Sequence, residues 1–214
     1  TVRYSVRFLD NVIDVNNSPL PEIERIAKGN RRIGLGIMGL AETLTTLRIP
    51  YDSMEAVEKT REVMKFINET AHGESQKLGR ERGIFPNFKN SIFDQNGKNY
   101  RPTQTTPGYE PRNCAVTTIA PTGTIALAAG LDGQGIEPYF ALIAERLTAD
   151  GLDAKRRKEQ PKDKDLLRII NPLFEDIAHQ HSYFGFTRQT LWTKIKENQG
   201  SIKHIEEIPE EIRR

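Results

Sequence analysis

The run Val116-Thr-Thr-Ile-Ala-Pro-Thr-Gly-Thr-Ile-Ala-Leu-Ala-Ala-Gly130 holds the residue types with most to offer chemically. A β-branched stretch turns through Ala120-Pro-Thr-Gly-Thr124 into a short apolar helix that Gly130 stops. Pro121 ends the strand, Thr122 is a good N-cap, and Gly123 lets backbone approach a ligand. The unpaired N–H groups of the first helical turn then point at one spot, which suits a phosphate. The same residues also make an ordinary capped turn from strand to helix, and the local pattern fits both readings equally.

Three further patterns invite chemistry and fall to blander readings. Gly34-Leu-Gly-Ile-Met-Gly39 satisfies the dinucleotide-binding fingerprint letter for letter. The strand before it would be very short, however, with Arg31-Arg32 at its start, and Glu55, near the distance of a ribose-binding acid, falls in the first turn of an amphipathic helix, where acids favour the helix dipole. His179 and His181 are an i, i+2 pair that does not face one way on a helix, with no carboxylate or cysteine to complete a set, so they read as surface histidines and no metal site is assigned. Cys114 is the one cysteine, which excludes an internal disulfide and any multi-cysteine metal site. It reads as a small, partly buried residue, and no residue is assigned a catalytic role.

The elements that must position these residues follow from periodicity. Val2, Val6, Leu9 and Ile13 recur at helical spacing beside a stripe of Arg3, Arg7, Asp10 and Asp14, so the chain opens on an amphipathic helix. A second helix over 22–28 ends at Gly29, a buried strand is expected over 31–37, and a helix over 40–47. Ser53 caps the longest helix, expected over 53–82, with Val57, Met64, Ile67, Ala71 and Leu78 on its inner face and Glu55, Glu58, Glu62 and Glu69 outside. From Gly83 to Arg112 the composition predicts a long surface connection. A strand over 115–119, a helix over 124–129 and a strand over 136–144 would form a β–α–β passage; 150–165 reads as a solvated loop, and helices are expected over 166–180 and 187–198. The strands should lie in one sheet, parallel where a helix crosses over.

With 214 residues, 36% hydrophobic and 28% charged, the chain has enough apolar surface for one sizeable core. A formal net charge of +2, with basic and acidic residues interleaved, gives no nucleic-acid footprint. No apolar run approaches the roughly 20 residues of a membrane span, and there is no signal-peptide pattern, so a cytoplasmic protein with no membrane partner is expected.

Arg112-Asn113, Thr118-Ile-Ala-Pro-Thr-Gly-Thr-Ile125 and Gly135-Ile-Glu-Pro138 together resemble the large catalytic chain of ribonucleotide reductase, in its adenosylcobalamin-dependent (class II) branch. Arg7-Phe-Leu-Asp-Asn-Val-Ile-Asp14, Arg31 to Ala41, Ile49-Pro-Tyr-Asp-Ser53, Glu81-Arg-Gly83, Asn171-Pro-Leu-Phe174 and Ile205-Glu-Glu-Ile-Pro209 extend the resemblance in the same order, least well over 91–109 and 148–165. It implies an α/β fold, a partial ten-stranded α/β barrel, with 1–214 a single domain from the barrel's later portion. It also implies the conversion of ribonucleotides to the deoxyribonucleotides that DNA replication needs, by a thiyl radical generated from adenosylcobalamin in the complete enzyme. Within that enzyme Ala120, Thr122, Gly123, Thr124 and Ile125 would hold the substrate's phosphates, while Pro121 shapes the turn and Glu137 and Pro138 support the neighbouring strand.

The family's radical cysteine sits in an Asn-Pro-Cys-Gly-Glu type loop that this sequence lacks, and Cys114 lies where the family needs no thiol. The N-terminal allosteric region and the cysteine-bearing C-terminal tail are also expected to be absent. The isolated chain would then be inactive, its partners being the ribonucleotide, the remaining portion of the reductase chain and a second copy in a homodimer. Two alternatives carry the same barrel sequence: a non-catalytic nucleotide- or phosphate-binding module or remnant, and a reductase served by a separate metal-radical subunit.

Overall fold

The computed structural model describes residues 1–102, 107–131, 133–160, 162 and 166–213. The chain divides into two compact units, one built from 1–38 and 52–122, the other from 39–51 and 123–214.

The first unit is organised by two helices, α1 (Val2–Val15) and α4 (Met54–Arg82), with α2 (Pro21–Asn30) beside them. The helical spacing of α1 places Val6 in full burial, packed with Val2, Leu9 and Ile13 against Ile33, Ala71, Leu78 and Val116. Each such aliphatic side chain contributes about 1.5–3 kcal/mol when it leaves water completely. The Ser53 hydroxyl accepts the Ala56 N–H at 3.1 Å and starts α4, which ends at Gly83. Only the later half of α4 has a continuous inner face: Ala71, Glu74, Ser75, Leu78 and Gly79 are buried, whereas Val57 is 47% exposed. The expected inner stripe through Val57 is thus corrected. The buried positions include a carboxylate and a hydroxyl because α4 faces a polar network as well as an apolar core.

The strand expected over 31–37 is a single parallel bridge, Leu35 to Thr117. Backbone bonds from Ile33 N–H to Ala115 O at 3.0 Å, Leu35 N–H to Val116 O at 2.9 Å and Thr118 N–H to Leu35 O at 3.1 Å run beside it. These segments do pair in parallel, over too few residues to count as strands. The connection over 83–112 is less superficial than its composition suggests. A 3₁₀ turn (Pro86–Phe88) follows fully buried Phe85, whose ring meets Phe88 and Phe93 edge-on; Phe93 in turn meets Tyr109, and Tyr109 meets His72 of α4. Residues 103–106 of this connection lie outside the described set.

His72 gives that aromatic cluster a pH dependence. Its Nδ1 lies 2.5 Å from the Tyr109 hydroxyl, burial pushes the imidazole below its usual 6.5, and burial pushes the Tyr109 phenol up, so the phenol stays protonated beside it. A base with a depressed folded value contributes stability that is complete above pH 6.5 and is lost as pH falls through the lower folded value. Urea denaturation from pH 7.5 to 5 should therefore show a steeper loss for the native chain than for His72→Gln. Parallel profiles would exclude His72 as the cause.

In the second unit α3 (Leu40–Thr46) precedes α5 (Gly123–Ala128), β1 (Ile143–Leu147), α6 (Ala149–Arg156), β2 (Leu166–Ile170), α7 (Pro172–Gln180), α8 (Arg188–Glu197) and α9 (Glu210–Arg213). Its core is Phe174, Ala178, Leu191, Trp192, Ile195, Ile202, Ile205 and Ile208. Three expectations are corrected here. The strand begins at Ile143, so 136–142 is not strand; it pairs antiparallel with β2, Ile143 opposite Ile170. Leu166 to Ile170 is that second strand rather than the start of a helix, because Asn171 caps α7, its Oδ1 accepting the Phe174 N–H at 2.9 Å, with Pro172 at the first helical position. The loop expected over 150–165 contains α6, capped by the Thr148 hydroxyl on the Gly151 N–H at 3.2 Å; residues 161 and 163–165 lie outside the described set. Among the described residues, regular sheet amounts to the β1–β2 pair, and the expected barrel strands and their crossovers are not seen.

Candidate functional site

Ala120, Pro121 and Thr122 lead directly into α5, which starts at Gly123. Thr122 is not the capping residue its type suggested. Its φ is +52°, in the left-handed region that an N-cap does not use, and its buried Oγ1 has no hydrogen-bond partner among the described residues. A β-branched residue held there costs on the order of 1–3 kcal/mol, and such strain persists only where surroundings impose it. Gly123 is not required by its neighbours: a Cβ placed on it would meet only Gln134 Oε1, at 4.0 Å. Thr124 and Ile125 are exposed, Ile125 at 59%. Helix geometry leaves the N–H groups of this first turn without carbonyl partners of their own. What the segment offers is therefore a row of donors, a buried hydroxyl and open space at a glycine.

Downstream, Gly133 and Gly135 are held by carboxylates. The Gly133 N–H donates to Glu42 Oε1 at 2.7 Å, and the Gly135 N–H to Glu137 Oε2 at 2.9 Å. Tyr51 donates its hydroxyl to the Ile136 carbonyl at 2.5 Å. Glu137 thus shapes its own loop.

The glycines of the dinucleotide-like motif have a packing explanation. A Cβ on Gly34 would lie 2.7 Å from Thr118 Cγ2, and one on Gly36 would lie 2.7 Å from the Thr118 carbonyl oxygen. They are small so that 33–36 can run against 115–118. Cys114 is half-buried, its N–H donates to Asn30 O at 3.1 Å, and burial pushes its thiol up, with Arg32 only partly opposing that. That environment disfavours a thiolate. His179 and His181 are exposed, ringed by Tyr183 and Phe184 respectively. Among the described residues no group of three or more His, Cys, Asp or Glu is placed to hold a metal ion.

Sequence reasoning missed the most concentrated charge among the described residues. Asp10 is fully buried and Arg31 is 4% exposed; Arg31 Nε meets Asp10 Oδ1 at 2.9 Å while its Nη1 reaches Asp14 at 2.7 Å. Asn113 Nδ2 donates to Asp10 Oδ1 at 2.9 Å and to Arg31 O at 3.0 Å. Arg82 and Arg112 approach Asp10 Oδ2 at 3.3 and 3.4 Å. Ser75 Oγ donates to Asn113 Oδ1 at 2.9 Å and accepts the Asn113 N–H at 3.1 Å. Arg7 pairs with Glu74 at 2.5 Å and with Glu81 at 2.9 Å. The signal available was the stripe Arg3, Arg7, Asp10, Asp14 on α1, charged where a helix beside a core should be apolar.

No helix among the described residues is long and apolar enough to cross a membrane. The family described as "Ribonucleotide reductase, barrel domain" matches residues 1–214. The vitamin B12-dependent ribonucleoside-diphosphate reductase of Mycobacterium tuberculosis is 40% identical over 209 residues, 98% of this chain and 26% of that protein. The protein of the same name from Thermoplasma acidophilum is 37% identical over 214 residues, 100% of this chain and 24% of its own length. Among solved structures, the class Id ribonucleotide reductase alpha subunit of Actinobacillus ureae matches with a TM-score of 0.69 at 22% identity, covering 99% of this chain and 33% of that one, a likeness of fold. The chain spans about a quarter of the length of the curated relatives it matches. Matched from its first residue to its last, the chain belongs to the ribonucleotide reductase barrel-domain family.

Proposed function

We propose that the chain is part of a vitamin B12-dependent ribonucleotide reductase, which converts ribonucleotides to deoxyribonucleotides by thiyl-radical chemistry, and that this part grips the substrate's terminal phosphates. Residues 1–214 would act as one domain, the later portion of a ten-stranded barrel. The parallel contact of Leu35 with Thr117 supports that architecture. Adenosylcobalamin, which supplies the radical when bound, would belong to the complete enzyme. None of the described residues forms a site that we assign to it. The further partners are the ribonucleotide and the remaining polypeptide, with a second copy where the enzyme is dimeric. The setting would be cytoplasmic.

The observation that carries the phosphate role is the entry to α5. Thr122 is strained, with its hydroxyl buried and unpartnered, and Gly123 has room for a side chain that it does not carry. Phosphate oxygens would take the Thr122 and Thr124 hydroxyls and the backbone N–H groups of 123–125, with Ala120 and Ile125 flanking them. Helix-end charge contributes roughly 0.3–1 kcal/mol per exposed interaction, so this segment alone holds a nucleotide at millimolar strength.

The test uses the complete reductase. Thr122→Val keeps the backbone demand and shape and removes only the hydroxyl; Gly123→Val fills the open space. Both should raise the substrate dissociation constant by about tenfold or more, close to 1.4 kcal/mol. The melting temperature should stay within about 1 °C, under about 0.5 kcal/mol for a domain of this size. If both variants bind substrate as tightly as the parent, the assignment is wrong.

A further inference from the structure

The second unit contains a cavity of about 280 Å³ bordered by Leu142, Asn171, Phe174, Ile177, Ile202 and Arg213. Two of these residues carry unspent donors. Asn171 is 2% exposed, and its Oδ1 is committed to the Phe174 N–H at 2.9 Å, which fixes the orientation of the amide. The other end, Nδ2, is buried with no hydrogen-bond partner among the described residues. Arg213 donates through Nη1 to the Lys203 carbonyl at 3.2 Å, while its buried Nε has no partner either. An unmet buried donor costs about 1–3 kcal/mol, so an acceptor that reached either group would recover that penalty. Among the described residues no aspartate or glutamate borders the cavity, and Lys203 adds a second cation to its wall.

We propose that this cavity is a binding site for a small organic carboxylate with an apolar body. The carboxylate would accept from Asn171 Nδ2 and Arg213 Nε, and the hydrocarbon would lie against Leu142, Phe174, Ile177 and Ile202. The space equals that of about nine waters in the liquid, enough for a ring or a short branched chain beside the carboxylate. The site shares no residue with the phosphate segment, so either assignment can fail without the other.

Benzoate is a suitable probe, with benzyl alcohol as its uncharged counterpart, titrated into the complete reductase with ligand-observed NMR. Benzoate should bind in the millimolar range and benzyl alcohol at least about fivefold more weakly. Asn171→Asp retains the acceptor that caps α7 but replaces the free donor with a negative oxygen, so it should weaken benzoate at least about tenfold without affecting the phosphate site. Arg213→Gln removes the charged donor without touching the core residues, and should do the same should Asn171→Asp fold poorly. Equal binding of the two probes, no binding of benzoate, or unchanged affinity in both variants would each overturn the proposal. So would a structure of the complete enzyme in which another stretch of polypeptide fills the cavity and takes both donors.

Discussion

Asp10→Asn is expected to destabilise the first unit by about 3 kcal/mol, the lower end of the range for breaking a buried ion pair. The substitution preserves size and one acceptor oxygen, so the loss isolates the charge. Arg31, 4% exposed, would keep Asp14 as its only anionic partner, and Asn113 Nδ2, Arg82 and Arg112 would all point at a neutral group. Asp14 is about half exposed and better screened, which makes it the weaker half of the clamp. Against a typical total stability of about 5–15 kcal/mol, a loss of this size is visible in any urea titration as an earlier midpoint at unchanged slope. Asp10→Asn combined with Arg31→Met should recover part of the loss, because the uncompensated cation is then gone. A single variant within about 1 kcal/mol of the parent would mean that the Asp10 charge adds little net stability, its desolvation offsetting its pairing with all three arginines.

The Asp10 cluster also marks where sequence reading stops. Elements set by local signals were legible: α1 from its apolar spacing, the start of α4 from Ser53, its end from Gly83, and α8 after Thr187. The β-rich passage was not. Strand-like composition at 136–142 and helix-like composition at 166–170 were overruled because Ile143 to Leu147 and Leu166 to Ile170 pair with each other, a partnership that neither segment announces alone. The segment proposed to hold phosphate was legible as a turn into a helix, since Pro121, Gly123 and the apolar run after them must turn into one. The part Thr122 plays there was misread. Residue type says cap, whereas the left-handed backbone and unpartnered hydroxyl depend on what surrounds it. Likewise Arg112 and Asn113 were legible as a family motif, and only the fold gives them work, as partners of a carboxylate 102 and 103 residues away.

Gly79→Ala is the second large expected effect, and two principles disagree about its sign. Gly79 lies inside α4, where glycine is about 1 kcal/mol worse than alanine, so helix propensity alone predicts stabilisation. The packing predicts the reverse. A Cβ at this position would fall inside van der Waals contact with the Glu110 carbonyl oxygen, and it would also lie 3.2 Å from Arg112 N and 3.3 Å from Pro111 C. All three are backbone atoms with no rotamer to escape into. They are also pinned, because the Arg112 N–H donates to Ser75 O at 2.9 Å and the next residue, Asn113, is locked by Ser75 and Asp10. Overpacking of this kind costs typically about 1–3 kcal/mol, and forcing 110–113 outward also loosens the buried Asp10 network, so the net change should be a loss of at least about 2 kcal/mol. The partition can be read from a double-mutant cycle with Asp10→Asn. Because both substitutions damage one network, the combined loss should be smaller than the sum by about 1 kcal/mol or more. Strict additivity would place the strain of Gly79→Ala elsewhere, and a stabilised Gly79→Ala chain would show that the approach of α4 to 110–112 is looser than the close contact requires.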